Sequence, residues 1–461
     1  MRSENAKVAC LGPGNAFSDL TRKELLQATE KAFRPNWKLS WFLRTYTART
    51  LLGYYRTSVK RARKLAPRAK KAPKRIIFQR GVIPRREDLT IESTKEKEKV
   101  DGDVDVEWIQ DPQALDTPHD QPAPRIILFL HGGGYYLYDS KCYRGITWRL
   151  AHFAQARVLS VDYRLAPESP FPCALQDALS AYSHLISPTD GKSPCYSPSQ
   201  IVICGDSAGG GLAIGTMLYI RDHPDQFPLP AGLVGICPLL DLTSSMPSVQ
   251  INRVWDYLTK NPIDPIWCHE NRQHVYIPDN SYFKHPYVSP SFATEDVNRP
   301  ICPTLIQIGE VELFRDESIY WVAETFKHSP ISLEIYEDYV HDFHLVMQPA
   351  NTLQAYQRIG TFVKDITSGK PFDVVGENRT VKVFYKDKSM KPVDGMKYIE
   401  DGWALLREYA AKNAAVADGQ QSRVPIKAKT DAADETNTDA IQTADVSAQS
   451  LMKRLRKVFR Y

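Results

Sequence analysis

Ser207 lies in Gly205-Asp206-Ser207-Ala208-Gly209, a G-x-S-x-G run between the apolar stretch IVIC and a stretch of helical character. Small residues flanking a serine permit the sharp strand-to-helix turn that exposes its hydroxyl as a nucleophile. Gly205 and Gly209 let neighbouring backbone approach without a Cβ clash. The helix that follows offers free N–H groups, and the one on Ala208 is suited to stabilise an oxyanion. Upstream, His131-Gly132-Gly133-Gly134-Tyr135 closes another apolar run. Three glycines after a strand leave backbone N–H groups free to point into a cavity, the other half of an oxyanion hole. This loop matches neither G-x-x-x-x-G-K-[ST] nor G-x-G-x-x-G, the two glycine patterns that cradle phosphate. His131 reads as a structural residue that holds the loop.

These residues need strands that end beside one another. Short apolar runs at 125–131, 156–165, 200–206, 231–240, 303–312 and 331–338 read as strands. Between them, 173–185, 207–221, 315–327 and 352–366 read as helices. Near-continuous apolar strands separated by helices imply an α/β fold with a mostly parallel sheet and helices on both faces. Two leading strands, KRIIFQRGVI and VDVEWIQ, precede that core, and the segment 241–303 breaks the rhythm as an insertion. In such sheets the chemistry gathers at the carboxyl ends of the strands.

At 461 residues, 43% hydrophobic and 25% charged, the chain is long enough for one large α/β domain with appendages. No run approaches 18 apolar residues, which argues against a spanning helix. The start, MRSENAKVACLGPGNAFSDL, lacks an apolar signal core. Eight cysteines without a CxxC pair suit neither a disulfide framework nor a zinc site. The expectation is an intracellular, cytoplasmic protein with reduced thiols and no cofactor or metal.

Charge is concentrated at the two ends. Residues 1–75 hold 19 Lys and Arg against 4 Asp and Glu, and the nine basic residues of 60–75 have no acid among them. Just before that run, residues 36–56 carry Trp37, Trp41, Phe42, Tyr46, Tyr54 and Tyr55. Aromatics beside cations suit a membrane interface, and they equally suit a cap packed over a pocket. Residues 413–447 lack aromatics and read as a disordered linker. They lead to a basic amphipathic helix at 448–461, with Leu451, Met452, Leu455, Val458 and Phe459 on one face. A peripheral anchor to an anionic membrane, the ER surface or a lipid droplet is one reading of that helix; a partner-binding helix or a frayed tail are others. No nucleic-acid-binding fold surrounds the basic run, and the oligomeric state is silent.

HGGGYY, then VDYRLAPESPFPCALQDALSAY, then GDSAGGGLA resembles the hormone-sensitive-lipase-like branch of the α/β-hydrolases, over about residues 125–366. The resemblance implies an α/β-hydrolase core over 76–368 with a helical cap, built from the basic helical segment 1–75 and the insertion at about 241–300. A C-terminal extension, 369–412, follows. It implies Ser207 as nucleophile, with Gly132, Gly133 and Gly134 of the glycine loop and Ala208 forming the oxyanion hole, and a supporting role for Asp206 and Glu168. The segment GEVELFRDES resembles the family's Gly-x-x-Asp-x-Leu-x-Asp, which places Glu312 in the acid slot and leaves Asp316 as the rival. His341 matches the histidine of the family's His-Gly-Phe, with Asp342 in the glycine position and His344 as a local rival for the base.

The expected activity is hydrolysis of a small-molecule carboxylic ester through an acyl-enzyme. The family's range and the aromatic-rich cap suggest short-to-medium acyl groups on a bulky apolar alcohol, such as a lipid, a sterol or an acetylated metabolite. Acyl transfer or amide cleavage on the same triad is an alternative. So is an inactive hydrolase-fold module that binds membrane through its basic ends.

Overall fold

The computed structural model describes Trp37, Trp41, Thr45, residues 47–49 and 58–65, and residues 72–421 apart from 87, 90, 92–101, 259–272, 347–348, 373–379 and 386–388. The expected amphipathic helix at 448–461 therefore lies outside the described residues, as does most of the linker before it.

Ten strands form one sheet: β1 (Ile77–Ile83), β2 (Val104–Gln110), β3 (Ile126–Leu130), β4 (Arg157–Asp162), β5 (Ile201–Asp206), β6 (Gly232–Ile236), β7 (Thr304–Gly309), β8 (Ile331–Tyr336), β9 (Thr380–Phe384) and β10 (Met390–Asp394). Their order is β1-β2-β4-β3-β5-β6-β7-β8-β9-β10. Strands β4 through β9 pair in parallel, while β1–β2, β2–β4 and β9–β10 pair antiparallel. Every residue of β3, β5, β6 and β7 is buried, as strands covered on both faces require. Each Ile, Leu, Val or Phe sunk this way contributes roughly 1.5–3 kcal/mol. The outer strand β1 instead shows exposed and half-buried positions.

Two helix pairs pack on the sheet. One joins α1 (Ser140–Ala154) with α2 (Pro349–Thr367); the other joins α3 (Cys173–Ile186) with α4 (Ser207–Asp222). The Asp139 side chain caps α1 by accepting the Cys142 N–H. The expected helix at 315–327 is an α-helical stretch, Arg315–Tyr320, that widens into a π-helical turn at Trp321–Thr325.

The extension at 369–412 contributes β9 and β10 to the sheet edge and the start of a helix, Met396–Gln421. That helix runs past the boundary expected at 412. The insertion 241–303 forms only short helical turns among its described residues, at Ser248–Ile251, Asn252–Val254, Asn280–Lys284 and Pro290–Phe292.

Candidate active site

The register Leu130↔Gly205 sets the carboxyl ends of β3 and β5 side by side, so the glycine loop and Ser207 meet. Ser207 has φ 52°, a left-handed conformation that strains an ordinary side chain and lifts its hydroxyl out of the turn. The crossing is too tight for other flanking residues. A Cβ on Gly205 would lie 2.2 Å from Gly209 O, and one on Gly209 would lie 2.2 Å from Leu130 O.

In the loop after β3, Gly132 N–H donates to Asp206 Oδ1 at 2.9 Å. Gly132 therefore drops out of the expected oxyanion donors, because its hydrogen is already directed at a carboxylate. Gly133 and Gly134 follow at φ 110° and 64°. Ala208 is in the first turn of α4, where an N–H has no intrahelical acceptor. His131 holds the loop: its Nδ1 lies 2.8 Å from Gly132 O, and its ring stacks on Tyr163 at 4.4 Å. Tyr163 Oη donates to His131 O at 2.6 Å.

His341, after β8, brings Nε2 to 2.9 Å from Ser207 Oγ. Glu312, after β7, lies with Oε2 3.7 Å from His341 Nδ1, an ion-pair separation longer than a hydrogen bond. Gly309 N–H donates to that same Glu312 oxygen at 3.2 Å. Asp342 Oδ2 lies 3.2 Å from His341 Nε2. Burial alone would lower the imidazole pKa, but the carboxylates of Asp342 and Glu312 outweigh it and hold it well above the ordinary value. Asp342 has φ 44°, the conformation for which glycine is the easy choice.

The rivals for these positions are engaged elsewhere. Asp316 accepts from Ser248 N at 2.8 Å and from Arg315 Nε at 2.7 Å. His344 Nε2 meets Gln307 Oε1 at 3.0 Å, and burial pushes its pKa down to about 3, so it stays neutral.

Three groups around the site carry no motif in the sequence. Asn252 and Asp256, both in the insertion, hold the acid turn. Asn252 Nδ2 donates to Glu312 O at 2.8 Å, and Asp256 Oδ2 accepts Leu313 N–H at 2.8 Å. Asp256 is fully buried, which with the charge of Glu312 pushes its carboxyl up to about 7 against the pull of His341. The third, Cys237, directly follows β6 and is buried.

The N-terminal segment touches the glycine loop, the segment after β4, the insertion and the turn before His341. Arg63 donates to Tyr136 O at 2.9 Å and Ala166 O at 2.7 Å, and its two terminal nitrogens each reach a Glu168 oxygen at 2.8 Å. Arg49 donates to Val254 O at 2.9 Å and to Arg253 O, beside Asp256. Trp37 Nε1 donates to Asp338 O at 3.2 Å, and Trp41 meets the Tyr339 ring edge-on at 5.7 Å, both just before His341.

A family model described as the alpha/beta hydrolase fold matches residues 127–345. An esterase of Acinetobacter venetianus is 33% identical over 196 residues, 42% of this chain and 59% of that protein. The chain thus spans less than two thirds of that relative. An acetyl-hydrolase of Streptomyces hygroscopicus is 31% identical over 221 residues, 48% of this chain and 68% of that one. The crystal structure of an esterase from the bacterial hormone-sensitive lipase family superimposes with a TM-score of 0.52 at 25% identity, covering 75% of this chain and 97% of the other. Strand order, a strained serine after β5 and shared sequence over the core converge, and the chain belongs to the hormone-sensitive-lipase-like branch of the α/β-hydrolases.

Proposed function

We propose that this protein hydrolyses carboxylic esters through an acyl-enzyme on Ser207. The observation that carries the reading is the 2.9 Å contact between Ser207 Oγ and His341 Nε2 at the strained turn. His341 takes the hydroxyl proton as Oγ attacks the ester carbonyl, then returns it to the leaving alcohol. Glu312 holds the ring and stabilises the imidazolium. The N–H groups of Gly133, Gly134 and Ala208 receive the oxyanion, each worth roughly 2.7–4 kcal/mol in comparable sites. Water then attacks the acyl-enzyme, with His341 as base again. None of these steps calls on a cofactor.

The substrate we propose carries a short-to-medium acyl group on a bulky apolar alcohol. The acetyl-hydrolase relative supports a small acyl group. Rings support the apolar alcohol: Phe314 and Tyr257 flank His341 at 4.9 and 6.1 Å, and Tyr135 of the glycine loop stacks on Tyr276 of the insertion at 3.6 Å. Among the described residues no helix is long and apolar enough to cross a membrane. Peripheral contact with an anionic surface is the further proposal for the basic ends. Lys60, Arg61 and Lys64 stand exposed on the helix Val59–Leu65, while Ala62 is buried.

The test is turnover of p-nitrophenyl acetate-to-octanoate esters together with labelling by a fluorophosphonate. Wild type should turn over and label, while Ser207→Ala does neither. An inert wild type, or an active Ser207→Ala, would overturn the reading. Co-sedimentation with phosphatidylserine vesicles tests surface contact, and binding that is absent at low salt would remove it.

A further inference from the structure

Ester chemistry gives Cys237 no task, yet its thiol stands among the reacting groups. It follows β6, the strand between β5, which leads to Ser207, and β7, which leads to Glu312. Its Sγ, a ring nitrogen of His341 and a carboxylate oxygen of Asp342 all lie within 4.8 Å of one another, and all three residues are buried. Around a tetrahedral zinc, bond lengths near 2.0–2.3 Å put ligand atoms roughly 3.3–3.8 Å apart. The Asp342–His341 pair already stands at 3.2 Å, so modest side-chain rotation would close the set.

Two independent features point to a cation. Asp342 Oδ1, Glu312 Oε1 and His341 Nδ1 are buried with no hydrogen-bond partner among the described residues, which leaves three polar atoms of the site unmatched by protein. In addition, two buried carboxylates, those of Glu312 and Asp342, face the one imidazole of His341 from its two ring nitrogens. Two negative groups about one base favour a divalent ion. The donor set selects among ions: sulfur, imidazole and one carboxylate suit zinc or cadmium, whereas magnesium and calcium prefer all-oxygen shells.

We propose that Cys237, His341 and Asp342 form an inhibitory site for a thiophilic divalent cation such as Zn²⁺. On binding, the Cys237 S–H bond and one N–H bond of the His341 imidazolium break, both protons leave to solvent, and sulfur–metal and nitrogen–metal bonds form, with no change of oxidation state. Either mode of imidazole ligation stops the base. An ion on Nε2 takes the lone pair that would accept the Ser207 proton. An ion on Nδ1 fixes the ring proton at Nε2, with the same result. Water or Ser207 Oγ fills the remaining position. Binding itself does not depend on the proposed esterase activity; only the inhibition does.

The experiment uses the full chain, freed of metal, titrated with Zn²⁺ by calorimetry and with Co²⁺ by absorption. Wild type and the inert Ser207→Ala should both bind one ion, and the Co²⁺ form should show a thiolate-to-cobalt charge-transfer band. Cys237→Ala should lose the band, and it and Asp342→Gly should each bind Zn²⁺ at least about tenfold more weakly. Cys195→Ala, which removes an exposed thiol far along the chain, should match wild type. Thermal melts confirm that each variant is folded, and Asp342→Gly serves if Cys237→Ala is not. In p-nitrophenyl acetate assays, Zn²⁺ should inhibit wild type reversibly by EDTA, each variant being compared with its own metal-free rate. Tight binding that survives Cys237→Ala, or full turnover at saturating Zn²⁺, would overturn the inference. Cysteine-dependent binding by a chain that hydrolyses no ester would leave this site standing and remove the esterase reading instead.

Discussion

Asp342 and His341, neighbours in the chain, form a contact that competes with the nucleophile. Asp342 Oδ2 is 3.2 Å from the Nε2 that also meets Ser207 Oγ at 2.9 Å. A proton on Nε2 satisfies both oxygens, and the imidazole that carries it is no longer a base. The resting site therefore favours the imidazolium, in line with a His341 pKa held above the usual value.

Replacing Asp342 with glycine removes that carboxylate and suits the φ of 44° at the position. The raised pKa means activity is lost as pH falls through it, because the base becomes protonated. Asp342→Gly should move the acid limb of the kcat/KM profile to lower pH, and activity near pH 6 should rise relative to wild type. A pH–rate profile with p-nitrophenyl acetate measures this, and an unmoved acid limb would count against the competition.

Glu312 and Asp316 can be separated by what each one touches. Glu312→Gln should lower kcat by about 10³–10⁴-fold, since an amide cannot stabilise the imidazolium. Asp316→Asn weakens the tie to Arg315 and Ser248, so it should cost about 1–3 kcal/mol of stability and leave kcat within a few-fold. Steady-state kinetics beside thermal melts distinguish the two; the reverse pattern would make Asp316 the acid.

Asp256 gives a pH signature in stability instead of rate. Its folded pKa of about 7 exceeds the unfolded value of 3.8, so the fold favours the protonated acid. That contribution is full below the unfolded pKa and is lost as pH rises through about 7, on the order of 4 kcal/mol in all. Asp256→Asn keeps an acceptor for Leu313 N–H and never ionises. Its melting temperature should gain on wild type steadily from about pH 4 to about pH 8. A difference that stays flat with pH would show that Asp256 ionises normally.

Arg63 ties the helix Val59–Leu65 to the glycine loop through the Tyr136 carbonyl and to the segment after β4 through the Ala166 carbonyl. Arg63→Ala should reduce kcat/KM by about tenfold with a small loss in melting temperature. Lysine should not restore it, because one ammonium cannot match the guanidinium fork. Glu168→Gln removes only an exposed partner and should change kcat/KM less than about twofold.

The parts legible from sequence were those with a local cause. Apolar runs such as IILFL and IVICGD announce strands buried on both faces, and Gly205 and Gly209 announce a crossing that admits no side chain. His341 and Glu312 were legible only by their resemblance to family motifs that follow the serine, because 3.7 Å across a site is a tertiary distance. The helix Ser140–Ala154 escaped notice although its signal was present. Asp139 caps it, and Tyr143, Ile146, Leu150 and Ala154 are buried at helical spacing, but Gly145 and a mix of aromatic and β-branched residues dilute the pattern. Strands β9 and β10 are five residues each, and the lysines in both mask the alternation. Cys237 and Asp256 lie in no motif. The first is brought in by the place of β6 in the sheet, the second by an insertion whose path only tertiary packing decides.

Trp37 and the carbonyl it binds on Asp338 are 301 residues apart in the chain. A ribosome releases the tryptophan long before its acceptor exists. The core strands β3 to β6 are complete by Ile236 and free to pair while Asp338 and Tyr339, which Trp37 and Trp41 meet in the folded chain, are still unmade. Closure of the catalytic end therefore comes after the strands that carry the serine, and a chain stalled before residue 338 has made its serine turn but not its base.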